Sequence, residues 1–176
     1  MESLVSVRVR PLQITDASVL LDLYARNAAF LKPFDPPRAD DFLTLEGQAR
    51  EVARSVEAAA VGAGQRFLIT DDETPVGVLG ISNIIEGPFR SANMGYWVDQ
   101  DANGRGVATR AVAAAVSWAF EVRGLHRLEA GTLVDNHASQ RVLQKNRFSR
   151  IGLSRHYLHI GGAWRDHILF ARTIED

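Results

Sequence analysis

The strongest constraint on the fold of this chain is a glycine-bearing loop that joins an apolar strand segment to an alanine-rich helix. The loop covers residues 99–106. Residues 94–98 before it have few polar interruptions, which is typical of a strand covered on both faces. Apolar residues after it recur at helical spacing, at Ala108, Ala111, Val112, Ala115, Val116 and Ala119. A strand, a loop and a helix in this order predict a mixed α/β fold.

The rest of the chain alternates between strand and helix patterns. A helix is predicted to start at Thr15 or Asp16, a second to span residues 39–60, and a short one to run from Asn136 to Asn146. Gly161 and Gly162 predict a tight turn between the last two strands. The predicted strands are residues 5–10, 66–70, 75–83, 90–98, 126–134, 148–153, 157–160 and 167–171.

Composition narrows the class of protein. The 176 residues are 46% hydrophobic, which suits one globular domain over residues 1–176. The chain has no cysteine, so disulfides, cysteine-ligated metals and a cysteine nucleophile are excluded. Neither a secretory signal nor an apolar run long enough for a bilayer is visible, which predicts a cytoplasmic protein without a membrane span.

The loop before the alanine-rich helix is a candidate anion site. Gly104 and Gly106 let the backbone approach a phosphate, and the helix start offers unpaired amides and a positive dipole end. The spacing is neither that of a Walker loop nor that of the dinucleotide-binding fingerprint. A glycine helix start without any ligand remains the alternative.

The order of four motifs indicates a family. The chain resembles the GCN5-related N-acetyltransferase superfamily, whose pyrophosphate signature Gln/Arg-x-x-Gly-x-Gly/Ala is met with Asn103 in the first position. Arg147 stands where relatives usually have glycine. Further segments resemble the RimJ/RimL branch of ribosomal-protein-alanine N-acetyltransferases. The motifs that carry both likenesses are Gly95-Tyr96-Trp97-Val98, Asn103-Gly104-Arg105-Gly106-Val107-Ala108, Asn136-His137-Ala138-Ser139, Lys145-Asn146-Arg147-Phe148, Leu31-Lys32-Pro33 and Trp164-Arg165-Asp166-His167.

The resemblance implies a fold and a co-substrate. The fold would be a twisted, mostly antiparallel sheet flanked by helices, with parallel strands 4 and 5 splayed apart. Acetyl-CoA would be the donor, attacked directly by a primary amine, and no metal is expected. The residues implied to bind acetyl-CoA are Trp97, Val98, Asn103, Gly104, Arg105, Gly106, Val107, Ala108, Thr109, Asn136 and Lys145.

Two catalytic residues are predicted. Ser139 is implied by the resemblance to protonate the CoA thiolate. His156 is the predicted general base, because strand alternation puts it on the face of Leu158, where some relatives have a glutamate. Glu86 or Asn93 acting through water are alternatives. Asp166 and His167 could form a catalytic pair, but as adjacent strand residues they are expected to point opposite ways and to have a structural role.

The sequence leaves three interpretations of the acceptor. The leading interpretation is the N-terminal amine of a protein such as a ribosomal protein. A small amine such as a polyamine, amino sugar or antibiotic is the enzyme alternative, and a non-catalytic acetyl-CoA sensor is the third interpretation. Residues 1–88 hold eight Lys/Arg against thirteen Asp/Glu, and residues 89–176 twelve against eight, which fits an anionic donor and a cationic acceptor. No nucleic-acid motif stands out, and a monomer or a homodimer is expected.

Overall fold

The computed structural model describes residues 6–176, so Val5 of the first predicted strand lies outside the described residues. Short 3-10 turns cover Ile14–Asp16 and Gln100–Ala102, and one π-helical turn, Trp118–Val122, extends α3. Within the described residues, no helix is long and apolar enough to cross a membrane. The helices and strands are β1 (Val7–Pro11), α1 (Ala17–Leu31), α2 (Leu45–Ala60), β2 (Gln65–Asp71), β3 (Thr74–Ile85), β4 (Ser91–Val98), α3 (Val107–Ser117), β5 (Arg127–Leu133), α4 (His137–Lys145), β6 (Ser149–Ile160) and β7 (Ala163–Thr173).

The strands form a seven-stranded sheet in the order β1-β2-β3-β4-β5-β7-β6. Every neighbouring pair is antiparallel except β4 and β5, which are parallel. Their pairing covers only Ser91 to Asn93 against Arg127 to Glu129, and the strands separate beyond these residues. The predicted mixed sheet with splayed parallel strands 4 and 5 is therefore confirmed.

Each face of the sheet carries its own core. On one face α3 and α4 pack through residues such as Ala111, Ala115 and Leu143 against Ile81, Met94 and other strand residues. On the other face α1 packs through Leu20, Leu23 and Tyr24 against Leu68 and Val78. The many alanines of α3 have small side chains, so this helix lies close to the strands and brings its N-terminus to the end of β4.

The predicted start of α2 at Ala39 is wrong. The helix begins at Leu45, after Thr44, whose Oγ1 accepts a hydrogen bond from the Gly47 amide at 3.1 Å. A Cβ at Gly47 would lie 2.0 Å from the Asp41 carbonyl oxygen, so the preceding turn packs directly on the helix backbone. Thr44 is a strong N-cap, and its cap outweighs the helix-compatible residues before it.

The start of α1 also differs from the expected capping. Asp16 occupies the N-cap position, but its carboxylate does not cap the helix. The carboxylate instead pairs with Arg10 at 2.7 Å and accepts from the Gln13 amide at 2.7 Å. Asp16 therefore ties β1 to the 3-10 turn before the helix.

The last two strands are longer than predicted. β6 is one strand from Ser149 to Ile160, where two short strands were expected, and β7 begins at Ala163 and not at His167. The register shifts between Ser154 and Leu158, where two extra residues bulge out of β6. The predicted simple alternation through His156 is therefore wrong, because its φ is +48° within this bulge. The predicted turn at Gly161 and Gly162 is confirmed, with φ of +57° and +85°.

Candidate active site

A cleft of about 440 Å³ opens where β4 ends between α3 and α4, and we call it the α3–α4 cleft. It contains all of the predicted cofactor-binding residues except Arg105, together with Ser139. These residues come from the end of β4, the glycine loop, the first turn of α3 and α4. They are Trp97, Val98, Asn103, Gly104, Gly106, Val107, Ala108, Thr109, Asn136, Ser139 and Lys145.

The glycine loop gives the cleft a row of backbone donors. Gly104 and Gly106 have φ of +77° and +79°, a region that suits glycine, and Gly106 is the N-cap of α3. The amides of residues 107–109 belong to the first turn and have no acceptor within the helix. They point into the cleft with the positive end of the helix dipole behind them, so this end of the cleft suits a phosphate group.

Arg105 is directed away from the cleft. Its guanidinium forms a 2.5 Å ion pair with Asp71, whose side chain is nearly buried at the end of β2. The arginine therefore fastens the loop to the sheet in this structure. The Arg105 side chain therefore does not line the cleft, and only its backbone can contribute to binding there.

Ser139 has a partner that the sequence analysis did not assign. The Tyr96 hydroxyl lies 2.9 Å from Ser139 Oγ. Burial raises the pKa of Tyr96 to about 12, and the hydrogen bond with Ser139 only partly offsets this. The phenol stays protonated at neutral pH and also donates to the Ser139 carbonyl oxygen at 3.3 Å, while either hydroxyl can be the donor in the 2.9 Å contact. Gly95 and Tyr96 belong to the motif Gly95-Tyr96-Trp97-Val98, but this motif does not predict the contact of Tyr96 with Ser139.

The remaining α4 residues set the position of Ser139. Asn136 Oδ1 caps α4 by accepting from the Ser139 amide at 3.1 Å. At the other end of α4, Asn146 Nδ2 donates to the Thr109 carbonyl at 3.1 Å, which fixes α4 to α3. Arg147, at the position usually held by glycine, has a φ of +62°, so a left-handed turn is kept there at some backbone strain.

The separation of β4 and β5 leaves a small cavity of about 150 Å³, the gap cavity. Tyr96, Asn136 and Ser139 line both this cavity and the α3–α4 cleft. Over residues 94–98 the edge of β4 that faces β5 has lost its strand partner. Backbone groups of Val98 at this edge are available to a bound molecule, whereas the Trp97 backbone pairs with Val78 of β3 and its indole donates to Tyr24 Oη at 3.3 Å on the α1 face.

A wide groove lies on the α1 side of the gap, and we call it the outer groove. It comprises two adjoining cavities of about 540 and 580 Å³ that share Lys32 and Gly161. Its walls come from the end of α1, residues 32–43, residues 133–138 at the end of β5 and the start of α4, and the turn between β6 and β7. Phe34 reaches the gap cavity, the cleft and the groove, so the three spaces meet at this side chain.

The predicted bases lie in different surroundings. His156 is exposed on the β6 bulge, and its amide donates to Asp166 Oδ1 at 2.9 Å; its side chain is not among those that line the cleft or the gap cavity. Glu86 forms an ion pair with Arg123, and Asn93 accepts from Asn83 at 3.2 Å. The assignment of a base therefore stays a prediction.

Comparison with known proteins places this geometry in a family. A model of the acetyltransferase (GNAT) domain matches residues 6–149. "Probable N-acetyltransferase YjcK" of Bacillus subtilis is 37% identical over 94% of this chain and 93% of that protein. The ribosomal protein uS5-alanine N-acetyltransferase of Escherichia coli is 32% identical over 96% of this chain and 88% of that protein.

A solved structure agrees with these relatives. Mycobacterium smegmatis RimJ in complex with CoA-disulfide superposes with a TM-score of 0.92 and 34% identity, over 96% of this chain and 82% of that one. The fold thus matches that of a protein that was solved in complex with CoA-disulfide. The chain belongs to the GNAT acetyltransferase family and is an N-acetyltransferase.

Proposed function

We propose that the protein transfers the acetyl group of acetyl-CoA to the N-terminal α-amine of a protein, of the ribosomal-protein-alanine type, in the cytoplasm. The outer groove carries this proposal, because it is open along its length and meets the gap cavity at Phe34. A peptide end can enter such a groove as an extended chain, whereas a small amine needs only an enclosed pocket. The uS5-alanine acetyltransferase relative supports the same acceptor class.

The α3–α4 cleft fits acetyl-CoA, which would supply an activated acetyl thioester. The amides of residues 107–109 would hold the pyrophosphate, and exposed Lys145 at the end of α4 would face the remaining phosphate charge. The unpaired edge of β4 at Val98 would bind the pantetheine arm and face the thioester carbonyl. Asn136 would bind the same arm beside Ser139.

The protein's own groups then account for proton movement. Ser139 donates a proton to the leaving sulfur, and the Tyr96 hydroxyl holds Ser139 Oγ in place for this donation. The chain has no cysteine, so no acetyl-cysteine can form and the amine attacks the thioester directly. Both substrates must therefore be bound together, one on each side of the β4–β5 gap.

An acceptor screen tests the proposal. Free CoA thiol is measured during turnover with peptides that begin with Ala or Ser, with spermidine and with an aminoglycoside. The absence of cysteine removes protein thiol from this assay. The matched control is the Ala peptide with its α-amine already acetylated, which should give no thiol.

Preference for the free Ala peptide is the expected result. A polyamine or aminoglycoside used better than every peptide would assign the enzyme to small amines. Tight binding of acetyl-CoA without turnover of any amine would indicate a sensor and overturn the catalytic proposal.

A further inference from the structure

His167 is a buried histidine in the wall of the gap cavity. Its exposed fraction is 4%, and it pairs on β7 opposite Leu133 of β5 and Ser154 of β6. Its neighbour Ile168 belongs to the core on the α3 face. Because strand side chains alternate, His167 projects to the opposite face, on the side of the outer groove.

The His167 ring lies beside a residue without a side chain. A Cβ built on Gly131 would lie 3.6 Å from His167 Cδ2 and 3.3 Å from Leu169 Cδ2, so a side chain at this position would crowd the ring. Gly131 and Gly95 are both exposed and both line the gap cavity, as does Ser139. One small cavity thus holds a histidine, the serine hydroxyl and two residues without side chains.

The hydrogen bonding of His167 fixes its tautomer. Nδ1 lies 3.0 Å from the Arg165 carbonyl oxygen, which can only accept a hydrogen bond. Nδ1 therefore carries the proton, and Nε2 of the neutral ring has a free lone pair. His167 lines the gap cavity, and a free lone pair on an imidazole in the wall of a cavity is what a general base requires.

The neighbouring carboxylate does not share in this arrangement. Asp166 accepts from the His156 amide, so the adjacent pair forms no Asp–His dyad. Two tyrosines face the imidazole: Tyr157, with ring centres 5.4 Å apart, and Tyr96 across the cavity. Glu129, on the outer-groove face of β5, is paired with Arg127 at 2.7 Å. No carboxylate of the described residues is thus held against the His167 ring.

We propose that His167, and not His156, is the base that removes the proton from the acceptor amine; this inference rests on the proposed function. Nε2 takes one proton from the ammonium group, and the amine nitrogen then bonds to the acetyl carbon. As the carbon–sulfur bond breaks, sulfur takes the Ser139 proton, which is replaced by the second proton leaving nitrogen. His167 returns its proton to solvent, so each turnover forms an amide and free CoA and releases one proton.

The test compares His167 with two histidines outside the cleft, the gap cavity and the outer groove. H167N keeps a donor near Nδ1 for the Arg165 carbonyl and removes the Nε2 lone pair, while H167Q serves as a second variant if H167N does not fold. H156Q and H126Q are the controls, because neither histidine lines any of these spaces. We expect kcat/KM of H167N to fall about 100-fold with acetyl-CoA affinity unchanged, and the controls to stay within about threefold.

The pH profile separates a base from a structural residue. A base must be deprotonated to act, so wild-type kcat/KM should rise with pH, and this rise should be absent in H167N. Near-wild-type turnover of H167N and H167Q, or loss of the rise in H156Q, would overturn the assignment.

A measurement without turnover keeps the inference distinct from the proposed function. Nitrogen NMR of the ring should show the proton on Nδ1 of His167 and a response of Nε2 when acetyl-CoA is added. A proton on Nε2 would overturn the assignment even if the enzyme is active. Failure of every amine in the acceptor screen, with the expected tautomer present, would overturn the proposed function instead.

Discussion

The two sides of the β4–β5 gap differ in how their residues are spread along the chain. The α3–α4 cleft is formed mainly by residues 96–145, which follow one another as strand, loop, helix, strand and helix. The outer groove is assembled from residues 24–43, from residues 133–138 and from the β6–β7 turn, so parts of it lie more than 100 positions apart in the chain. The first side presents backbone amides from a glycine loop, and the second presents side chains of both charges. Backbone donors suit a constant phosphate, whereas side chains can vary with the acceptor.

The largest expected effect concerns Ser139, where the two sides meet. S139A removes the proposed donor to sulfur and should lower kcat about 100-fold while acetyl-CoA affinity stays unchanged. Steady-state kinetics with the best acceptor and calorimetry with acetyl-CoA measure the two quantities. S149A, an exposed serine at the start of β6, is the control. Unchanged turnover in S139A would show that Ser139 does not protonate the leaving sulfur.

The burial of Tyr96 should make the free energy of unfolding fall at alkaline pH. Its pKa is raised to about 12 by burial, above the ordinary value near 10, so the unfolded state loses its proton first as pH rises. The contribution of Tyr96 to stability is intact below about pH 10 and is lost towards pH 12, by about 2 kcal/mol. Urea unfolding at pH 8 and 11.5 should show a smaller alkaline loss in Y96F than in wild type.

A control for Tyr96 comes from an exposed tyrosine. Y157F changes a residue on the outer surface of β6 and should lose stability with pH as wild type does. Equal pH dependence in Y96F and wild type would show that the Tyr96 phenol is not shielded where the cleft and the gap cavity join.

The cleft could be predicted from sequence because its geometry is local. Gly104, Gly106 and Asn136 act through the few residues next to them, a helix start in each case, and their roles follow from spacing. The contact of Tyr96 with Ser139 could not be predicted in this way, because 43 positions separate the two residues. Only the sheet brings them together.

The acceptor side shows why strand periodicity fails there. Two extra residues in β6 shift its register between Ser154 and Leu158, and no residue type in that stretch predicts a bulge. The choice of His156 depended on regular alternation, while His167, which lines the gap cavity, was expected to have a structural role beside Asp166. Likewise, the Thr44 cap and the close packing of Gly47 make α2 begin at Leu45, although helical propensity alone does not exclude an earlier start.

The next largest effect is expected on acetyl-CoA affinity when Asn103 is changed, and it tests whether the cleft binds its ligand by charge. Asn103 is exposed in an extended conformation beside the first turn of α3, so a longer side chain fits there without clash. N103E adds a negative charge and should weaken acetyl-CoA binding about tenfold at low salt, less at high salt. N103Q, of equal size and uncharged, should bind like wild type. Equal affinities of N103E and N103Q in calorimetry would place the phosphates elsewhere.

The smallest effect is expected on the outer groove, at Asp40. This carboxylate lines the groove and has no hydrogen-bond or ion-pair partner in the part of the chain that the structure describes, whereas nearby Asp35 is held by Arg38 at 3.0 Å. D40N should raise KM for a cationic peptide amine about threefold, since an exposed charge in water attracts weakly, and leave KM for acetyl-CoA unchanged. E73Q, in the distant β2–β3 turn, should change neither constant. A rise in KM for acetyl-CoA alone would contradict the division of the molecule into a donor side and an acceptor side, because a groove charge would then act across the sheet.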